Sequence, residues 1–274
     1  MSKSVSLYPA FKAPNVDEFW TAFRAETQRA VDREPVLAAF FTRAVLQHDS
    51  FPEALAGYLA SKVAGNEIPP AALASEVLAV YHANSHLAGA AIIDLRASRE
   101  RNPAYADHLT PFLYFKGFQS LQLHRVGNVL WNGGRCEFAT YLQSRVSEIF
   151  QVDIHPAARF GVGVFIDHAT GIVVGETAII GDNVSILQDV TLGGTGKETG
   201  DRHPKVGDGV LLSAGAKVLG NITIGEGARI GAGSVVLKAV PPHTTVAGVP
   251  AKIVGRSEDM PGITMDQQFA DFQI

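Results

Sequence analysis

The chain has 274 residues, enough for one large domain or two ordinary ones, and its 46% hydrophobic and 18% charged residues describe a soluble globular protein. The net charge of −4 argues mildly against nucleic acid as the main partner. No apolar run approaches the ~20 residues that a membrane span needs, and no secretory signal opens the chain. The single cysteine, Cys136, fits a reducing compartment, so we expect a cytoplasmic protein.

Residues 1–150 are predicted to form an all-α domain, because apolar positions recur there at helical spacing and no convincing strand is visible. Asn15 and Ser50 are plausible N-caps, since each precedes a stretch with a helical apolar face. One long helix is expected from Pro69 to just before Pro103. The predicted helices begin at Asn15, Pro35, Ser50, Pro69, Pro111 and Cys136.

Apolar residues recur every six positions between residues 154 and 236. This period fits neither a helix nor an alternating strand, but it fits short straight faces joined by tight corners. Because one face buries too little surface alone, the coils must stack, and we predict a parallel β-helix over residues 151–256. A glycine-rich sandwich that shows the period by chance is the alternative. The apolar positions are Ile154, Phe160, Ile166, Ile172, Ala178, Val184, Val190, Val206, Leu212, Val218, Ile224, Ile230 and Val236.

The period is interrupted between Val190 and Val206. These residues are sixteen positions apart where one repeat takes six, so about ten residues are predicted to loop out. Loops on rigid scaffolds often carry functional sites, which makes this excursion a candidate. Its glycines do not lead into a Gly-Lys-Ser/Thr sequence that opens a helix, so a phosphate-binding P-loop is excluded.

Residues 257–274 are polar, with Phe269 and Ile274 as well-spaced apolar exceptions. The composition is typical of a flexible tail, and a tail that folds back on its own subunit is equally compatible with it. The sequence therefore predicts an α+β protein in three parts. These are an all-α domain over residues 1–150, a parallel β-helix with one looped-out excursion over residues 151–256, and a flexible C-terminal tail.

Two of the nine histidines lie where chemistry is expected, His168 within the repeats and His203 in the excursion. Asp153 precedes His168 by about one coil, and stacked coils lie only ~4.8 Å apart. A carboxylate one layer away would fix the imidazole tautomer of a general base, although a purely structural hydrogen bond is the alternative. His155, His168 and His203 lack the close spacing common among converging metal ligands, so no metal site is predicted.

Three motifs closely resemble those of the serine acetyltransferase family: Asp-His-Ala-Thr-Gly at 167–171, Asp-Arg-His-Pro-Lys at 201–205 and Ala-Gly-Val-Pro-Ala-Lys at 247–252. The resemblance extends over about residues 70–256. It implies a left-handed β-helix, homotrimers that pair through their helical domains into hexamers, and transfer of acetyl from acetyl-CoA to the hydroxyl of L-serine in cysteine biosynthesis. Acetyl-CoA would be a co-substrate, and no tightly bound cofactor is expected.

The resemblance also implies roles for individual residues. His168 matches the general base and Asp153 its partner. Asp167 matches the group that holds the substrate ammonium, while Arg202 matches the group that pairs with the substrate carboxylate and His203 lies beside it. CoA is expected in a groove between neighbouring β-helices, with Gly194 donating to the thioester oxygen, although the two candidate lysines are also compatible with ordinary surface positions. The candidate CoA-binding residues are Gly194, Ala214, Ala232, Lys238 and Lys252.

Two further features follow from the resemblance. Asn102 stands where the family commonly has an aspartate that contacts the serine amine, so its role as a substrate ligand is weakened. Ile274 matches the C-terminal isoleucine that the family inserts into O-acetylserine sulfhydrylase, and feedback inhibition by L-cysteine is also implied. The rival hypotheses are another O-acyltransferase, acting on a sugar or homoserine, and a non-catalytic β-helix subunit that binds a partner through its tail.

Overall fold

The computed structural model describes residues 14–196, 198–256 and 258–267, in which a helical half precedes a parallel β-helix. This arrangement confirms the predicted fold class. None of the described helices is both long and apolar enough to cross a membrane. The helices are α1 (Val16–Arg33), a 3₁₀ turn (Pro35–Leu37), α2 (Ala38–Phe41), a π turn (Thr42–Leu46), α3 (Phe51–Val63), α4 (Pro70–Ala83), α5 (His86–Arg101), α6 (Leu109–Tyr114), α7 (Lys116–Asn132), α8 (Cys136–Phe150) and α9 (Pro261–Thr264).

The helix starts agree with the capping residues expected from the sequence. The Oδ1 atom of Asn15 accepts hydrogen bonds from the backbone N–H groups of Asp17 and Glu18, both at 3.1 Å. The Oγ atom of Ser50 accepts one from the N–H of Glu53 at 3.4 Å. Each cap therefore satisfies N–H groups that have no partner inside the helix.

Two predicted helices are each divided in the structure. The expected helix from Pro69 to Pro103 is α4 and α5, separated at Asn84, whose side-chain amide donates to the carbonyl of Val80 at 2.9 Å and closes the end of α4. The expected helix from Pro111 is α6 and α7, separated at Phe115, whose backbone is extended. Local side-chain hydrogen bonds and tertiary packing override helical periodicity at these positions.

The β-helix consists of three sheets in which every third strand stacks, with β14 and β15 forming an antiparallel hairpin at the end. The sheet orders are β1-β4-β7-β10-β13, β2-β5-β8-β11 and β3-β6-β9-β12-β14-β15. The strands are β1 (Val152–Ile154), β2 (Arg159–Phe160), β3 (Phe165–Ile166), β4 (Ile172–Val174), β5 (Ile179–Ile180), β6 (Ser185–Ile186), β7 (Thr191–Gly193), β8 (Lys205–Val206), β9 (Leu211–Leu212), β10 (Lys217–Leu219), β11 (Thr223–Ile224), β12 (Arg229–Ile230), β13 (Val235–Val236), β14 (Thr244–Gly248) and β15 (Ala251–Arg256).

The strand register corrects the predicted period of six. Val152 pairs with Ile172, 20 residues on, whereas Val173 pairs with Thr191, 18 residues on. The first coil therefore contains two extra residues, and the expected run of uninterrupted repeats before the excursion is wrong. From residue 172 to residue 190 the predicted positions are buried but lie two residues before the paired ones. The paired inward positions of the first sheet are Ile154, Val174, Leu192, Val218 and Val236.

The same register shortens the excursion. Leu192 and Val206 occupy successive inward positions and are fourteen residues apart, so eight residues are looped out and not ten. Two corners of the β-helix carry candidate site residues. The first corner, between the β3 and β1 sheets, comprises residues 167–171, 187–190, 213–216 and 231–234. The second corner, between the β1 and β2 sheets, comprises residues 155–158, 175–178, 194–196, 198–204, 220–222 and 237–239.

A buried ion pair joins the helical half to the first coil. Arg125 of α7 lies 2.8 Å from the carboxylate of Asp94 in α5 and donates to the carbonyl of Gly161 at 2.6 Å. The other Asp94 oxygen accepts from the N–H of Val164 at 3.0 Å. Breaking one partner of such a pair would leave a buried charge, so this junction fixes the two halves relative to one another.

The described residues after β15 fold back along the β-helix. The N–H of Gly262 in α9 donates to the carbonyl of Gly209 at 2.8 Å, and the Ser185 hydroxyl donates to the carbonyl of Gly262. Arg229 pairs with Asp266 at 3.0 Å. Of the two interpretations left open for the tail, residues 258–267 follow the folded-back one, while Phe269 and Ile274 lie outside the described residues.

Candidate active site

His168 lies on the first corner, in the stretch that makes the first coil longer than the others. His168 and Ala169 both have a left-handed backbone, with φ of 57° and 64°. The turn is closed by the N–H of Ala169, which donates to the carbonyl of Asp167 at 2.6 Å, and by the N–H of Thr170, which donates to the carbonyl of His168 at 2.8 Å. Such conformations are costly for residues other than glycine and are concentrated at functional sites.

A pocket of about 280 Å³ opens beside this corner, between the β-helix and the helical half. The His168 side chain is 70% exposed, and its Nε2 atom is 3.5 Å from Oδ2 of Asp167. α7 approaches the corner closely because residue 117 is glycine: an added Cβ would lie 2.1 Å from the Ile166 carbonyl oxygen. The lining residues are Asn102, Tyr105, Tyr114, Phe115, Lys116, Gly117, Ile166, Asp167 and His168.

Asn102 reaches this pocket from the end of α5. Its Oδ1 atom accepts a hydrogen bond from the N–H of Ala104 at 3.1 Å. The preceding residue, Arg101, is fixed against the β-helix by hydrogen bonds to Oγ of Ser185 and Oδ1 of Asn183, both at 3.1 Å. The structure therefore brings Asn102, Asp167 and His168 together within one chain, and Asp167 supplies a carboxylate there that could bind a substrate cation.

His203 and Arg202 lie on the second corner, where the excursion returns to the coil. The hydroxyl oxygen of Thr177 accepts hydrogen bonds from the N–H groups of Arg202 at 3.0 Å and of His203 at 3.1 Å. The ring of His203 occupies the space above Gly175, where an added Cβ would lie 2.0 Å from Nε2. The ring is therefore held by the coil it rejoins.

The contacts of His203 favour the neutral ring and determine which ring nitrogen carries its proton. Burial, followed by the positive charges of Arg202 and Lys205, lowers its pKa. Its Nδ1 atom accepts a hydrogen bond from the N–H of Thr177 at 3.1 Å, so the proton of the neutral ring is on Nε2. An added Cβ on Gly194 would lie 3.6 Å from this Nε2, so Gly194 adjoins it. His203 can therefore donate a hydrogen bond towards the space beside Gly194.

Arg202 already has an acidic partner on this corner. Its Nη2 atom donates to Oε2 of Glu176 at 2.7 Å, and this hydrogen bond lowers the pKa of the Glu176 carboxyl. Sequence reasoning did not single out Glu176 or Thr177. Both follow β4 one coil before the excursion, and only the corrected register shows that they meet residues 202 and 203.

Asp153 does not stack on His168 in the β-helix. Asp153 pairs with Val173, five residues beyond His168, and its Oδ1 atom accepts a hydrogen bond from Nε2 of Gln143 at 2.7 Å. Within the described ranges of a single chain, no hydrogen bond or ion pair joins Asp153 to His168. The general-base pair thus stays a prediction, which one chain by itself does not assemble.

The candidate CoA residues follow the same two corners along the axis. Ala214 and Ala232 lie on the first corner, linked by a hydrogen bond of 2.8 Å from the N–H of Gly233 to the carbonyl of Ala214. Lys238 is exposed on the second corner, below Gly194. Lys252 is exposed on the terminal hairpin, where it pairs with Ala247.

His155 precedes Pro156 and shapes a corner of the β-helix. Its Nδ1 atom accepts a hydrogen bond from the N–H of Ala157 at 3.1 Å. Over residues 14–196, 198–256 and 258–267, no group of three or more His, Cys, Asp or Glu side chains is arranged to hold a metal ion.

Comparisons with known proteins agree with this architecture. A family model described as bacterial transferase hexapeptide (six repeats) matches residues 203–238, and with the stacked coils it defines a hexapeptide-repeat transferase. A second model, serine acetyltransferase, N-terminal, matches residues 19–123 of the helical half. The serine acetyltransferase of Salmonella typhimurium is 54% identical over 251 residues, which are 91% of this chain and 92% of the relative. The chain belongs to the serine acetyltransferase family.

Three similar solved structures contain small molecules. Serine acetyltransferase from Brucella abortus in complex with coenzyme A has a TM-score of 0.86 and 50% identity, covering 88% of this chain and 97% of that chain. A serine acetyltransferase complex with cysteine has a TM-score of 0.90 and 48% identity, with coverage of 92% and 98%. Soybean serine acetyltransferase complexed with serine has a TM-score of 0.85 and 50% identity, with coverage of 88% and 100%.

Proposed function

We propose that this chain transfers the acetyl group of acetyl-CoA to the hydroxyl of L-serine, giving O-acetyl-L-serine and CoA for cysteine biosynthesis. The observation that carries the proposal is family membership over 91% of the chain, joined to a pocket that combines Asp167 with His168. The similar proteins solved with coenzyme A and with serine hold one product and the acceptor of this reaction.

In this mechanism His168 is the general base. A neutral imidazole takes the proton of the serine hydroxyl as the oxygen attacks the thioester carbonyl, and the tetrahedral intermediate then expels the CoA thiolate, which receives a proton. Asp167 binds the substrate ammonium, and Arg202 exchanges Glu176 for the substrate carboxylate, which suits its planar guanidinium. Asp153 steadies the imidazolium that forms.

The thioester oxygen becomes anionic during the attack and needs hydrogen-bond donors. The backbone N–H of Gly194 is one candidate, and the Nε2–H of His203 adjoins it on the second corner. One such donor commonly contributes roughly 3 kcal/mol to transition-state stabilisation. The tautomer of His203 therefore suits a donor, while the exposed ring of His168 suits a base.

The complete site lies between two copies of the chain in a homotrimer. His168 and Asp167 are on the first corner, and Arg202 and His203 are on the second. One copy of the chain therefore supplies the first pair, and the neighbouring copy supplies the second pair. Both corners continue along the axis as the walls of one groove, with Ala214 and Ala232 on the first and Lys238 on the second, and Lys252 on the nearby hairpin. A CoA molecule laid along this groove would contact all of them.

The test is a thiol-release assay with acetyl-CoA and L-serine. The wild type is expected to release CoA, and His168→Asn should lower kcat by about 10²- to 10⁴-fold, because a positioned base typically contributes that much. The matched control is His243→Asn, since His243 also has a left-handed backbone, with φ of 53°, on a corner of the β-helix. Absence of CoA release by the wild type would instead favour a non-catalytic subunit.

The acceptor distinguishes the remaining rival. If kcat/KM for homoserine or a sugar exceeded that for L-serine, a different O-acyltransferase would be indicated. L-cysteine offers the same ammonium and carboxylate as serine and is expected to compete with it, in agreement with the cysteine complex of a similar protein.

The proposed binding of a partner enzyme involves a residue outside the described part of the chain. Ile274 is proposed to enter the active site of O-acetylserine sulfhydrylase, in the cytoplasm, as a short carboxylate-bearing anchor. Deleting residues 269–274 should abolish co-elution with that enzyme and leave acetyl transfer within about twofold of the wild type. Loss of acetyl transfer in the truncated chain would contradict this assignment.

A further inference from the structure

Lys116 links the helical half to the corner that carries His168. It is the first residue of α7, it is half-buried, and it lies on the wall of the pocket with Asp167 and His168. Its Nζ atom donates a hydrogen bond to Oγ1 of Thr170. The N–H of Thr170 in turn donates to the carbonyl of His168 at 2.8 Å. A short chain of hydrogen bonds therefore runs from α7 to the backbone of His168.

Packing holds only part of this corner, because Ala169 is fully buried in the core whereas the side chain of His168 is exposed. The two residues by which the first coil exceeds the second lie between Ile166 and Val173, and in that stretch His168 and Ala169 both have a left-handed backbone. The His168 ring is 70% exposed, so neighbouring side chains do not fix its backbone from outside. An inserted turn with an exposed side chain samples several conformations unless hydrogen bonds select one.

Lys116 is itself held at a fixed distance from the corner. The absence of a side chain at Gly117 lets the first turn of α7 lie against the carbonyl of Ile166, which is followed directly by Asp167. The carbonyl of Lys116 also accepts a hydrogen bond from the hydroxyl of Ser120 at 2.6 Å. The backbone from which the lysine extends is therefore anchored on both sides.

The corresponding corner of the next coil is held differently. There Lys217 donates to Oδ1 of Asp189 at 2.8 Å, and both residues belong to the β-helix. The extended first coil instead receives its lysine from the helical half, at the edge of the pocket.

We propose that Lys116 is a positioning residue, which acts through Thr170 to hold His168 in the orientation required for proton transfer. The inference rests on the acetyl transfer proposed above. Lys116 would then influence the rate of the chemical step while leaving the binding of serine nearly unchanged, because its contact is with the corner and not with the substrate.

A double-mutant cycle tests this inference. Lys116→Met and Thr170→Val should each lower kcat by about 10- to 100-fold, the effect expected when a catalytic group is misplaced by about 1 Å. The KM for L-serine should stay within about threefold of the wild type. Because both substitutions break one chain of hydrogen bonds, the double variant should be no slower than the slower single variant. Lys116→Arg should restore most of the lost kcat.

Direct binding of the substrate by Lys116 would give the opposite pattern. The two losses would then multiply, and Lys116→Met would raise the KM for L-serine more than it lowers kcat, which would overturn the inference. Lys217→Met is the matched control, since it removes the lysine that donates to Asp189 on the next corner. It should leave kcat within about threefold of the wild type. If Lys116→Met unfolds at a lower temperature than Lys217→Met, Thr170→Val and Lys116→Arg supply the comparison, because Thr170 is exposed.

The wild-type assay separates this inference from the proposed function. A wild type that does not release CoA in the presence of L-serine would remove both. An active wild type combined with a Lys116→Met variant as fast as Lys217→Met would remove the positioning role alone.

Discussion

The corners of the β-helix that carry His168 and His203 hold these two rings in opposite ways. His203 is 7% exposed, its Nδ1 atom is fixed by the N–H of Thr177, and its ring fills the space that Gly175 leaves. His168 has a 70% exposed side chain, and its placement comes from an inserted left-handed turn. The comparison shows that one corner holds its ring in place by hydrogen bonding and packing, while the other exposes the ring of the proposed base.

The difference follows from the sizes of the two insertions. Two extra residues are too few to leave the corner, so they change the backbone where His168 stands and project its ring outward. Eight extra residues can leave the coil and return, and the returning segment packs His203 into the previous coil. Substitutions at either corner test this contrast.

Deleting His168 and Ala169 should remove the contrast entirely. The first coil would then have the length of the second, so the fold should persist, as judged by circular dichroism and oligomeric state. Acetyl transfer should fall to the level of His168→Asn or below, because the base and its turn are both gone. Activity clearly above that of His168→Asn would show that the insertion is not needed to build the site.

Substituting Gly175 should disturb the fixed corner. In Gly175→Ala the new Cβ would overlap the His203 ring, with 2.0 Å to Nε2, so the ring must move. We expect kcat/KM to fall by about 100-fold, as for a displacement of about 1 Å in a catalytic site. Gly255→Ala is the control, since an added Cβ there meets nothing within 4 Å. Equal activities of the two variants would contradict the preorganisation of His203.

A smaller effect is expected on the exposed corner from Asn102→Asp. The new carboxylate would join Asp167 in the pocket proposed to receive the substrate ammonium, and a partly exposed ion pair is worth up to about 1 kcal/mol. The KM for L-serine should therefore fall by about fivefold, and that for a neutral acceptor should not. Unchanged or weaker serine binding would count against contact between residue 102 and the substrate.

The smallest effect concerns pH and stability. Because the pKa of His203 is lowered in the folded state, the unfolded chain takes up a proton that folded His203 refuses as the pH falls below about 6.5. The lowered pKa of His203 therefore reduces the free energy of unfolding as the pH decreases. Well above pH 6.5 it has no such effect. His203→Asn should show a smaller fall in melting temperature than the wild type between about pH 7.5 and pH 5.5. A fall of equal or greater size would contradict the lowered pKa.

The sequence predicted the stacked coils and their apolar interior well, but it could not locate the first insertion. Ile172 and Val174 are both buried, because each strand of a coil directs alternate residues inward. A count in sixes can therefore slip by two positions and still meet apolar residues at every step. Only strand pairing distinguishes the two alignments, and pairing is a contact between coils.

The histidines were recognisable from the motifs, whereas their supports were not. Thr177 and Lys116 act on residues 26 and 54 positions away, so no local pattern indicates their contacts. The division of helices at Asn84 and Phe115 has a similar origin, since a side-chain hydrogen bond and close packing of α7 decide it. The expected Asp153–His168 pair rests on stacking and on the family resemblance; within one chain Asp153 pairs with Val173, so the pair stays a prediction.

The unequal length of the first coil also matters to anyone who borrows this scaffold. Consensus design averages repeats towards a common length and would trim residues 168 and 169 as irregular. A designer would therefore copy residues 152–174 unchanged and idealise only the coils that follow. By the same logic, a two-residue graft after Ile186 or Leu212, at the equivalent points of later coils, would be a natural place to present a new side chain to solvent.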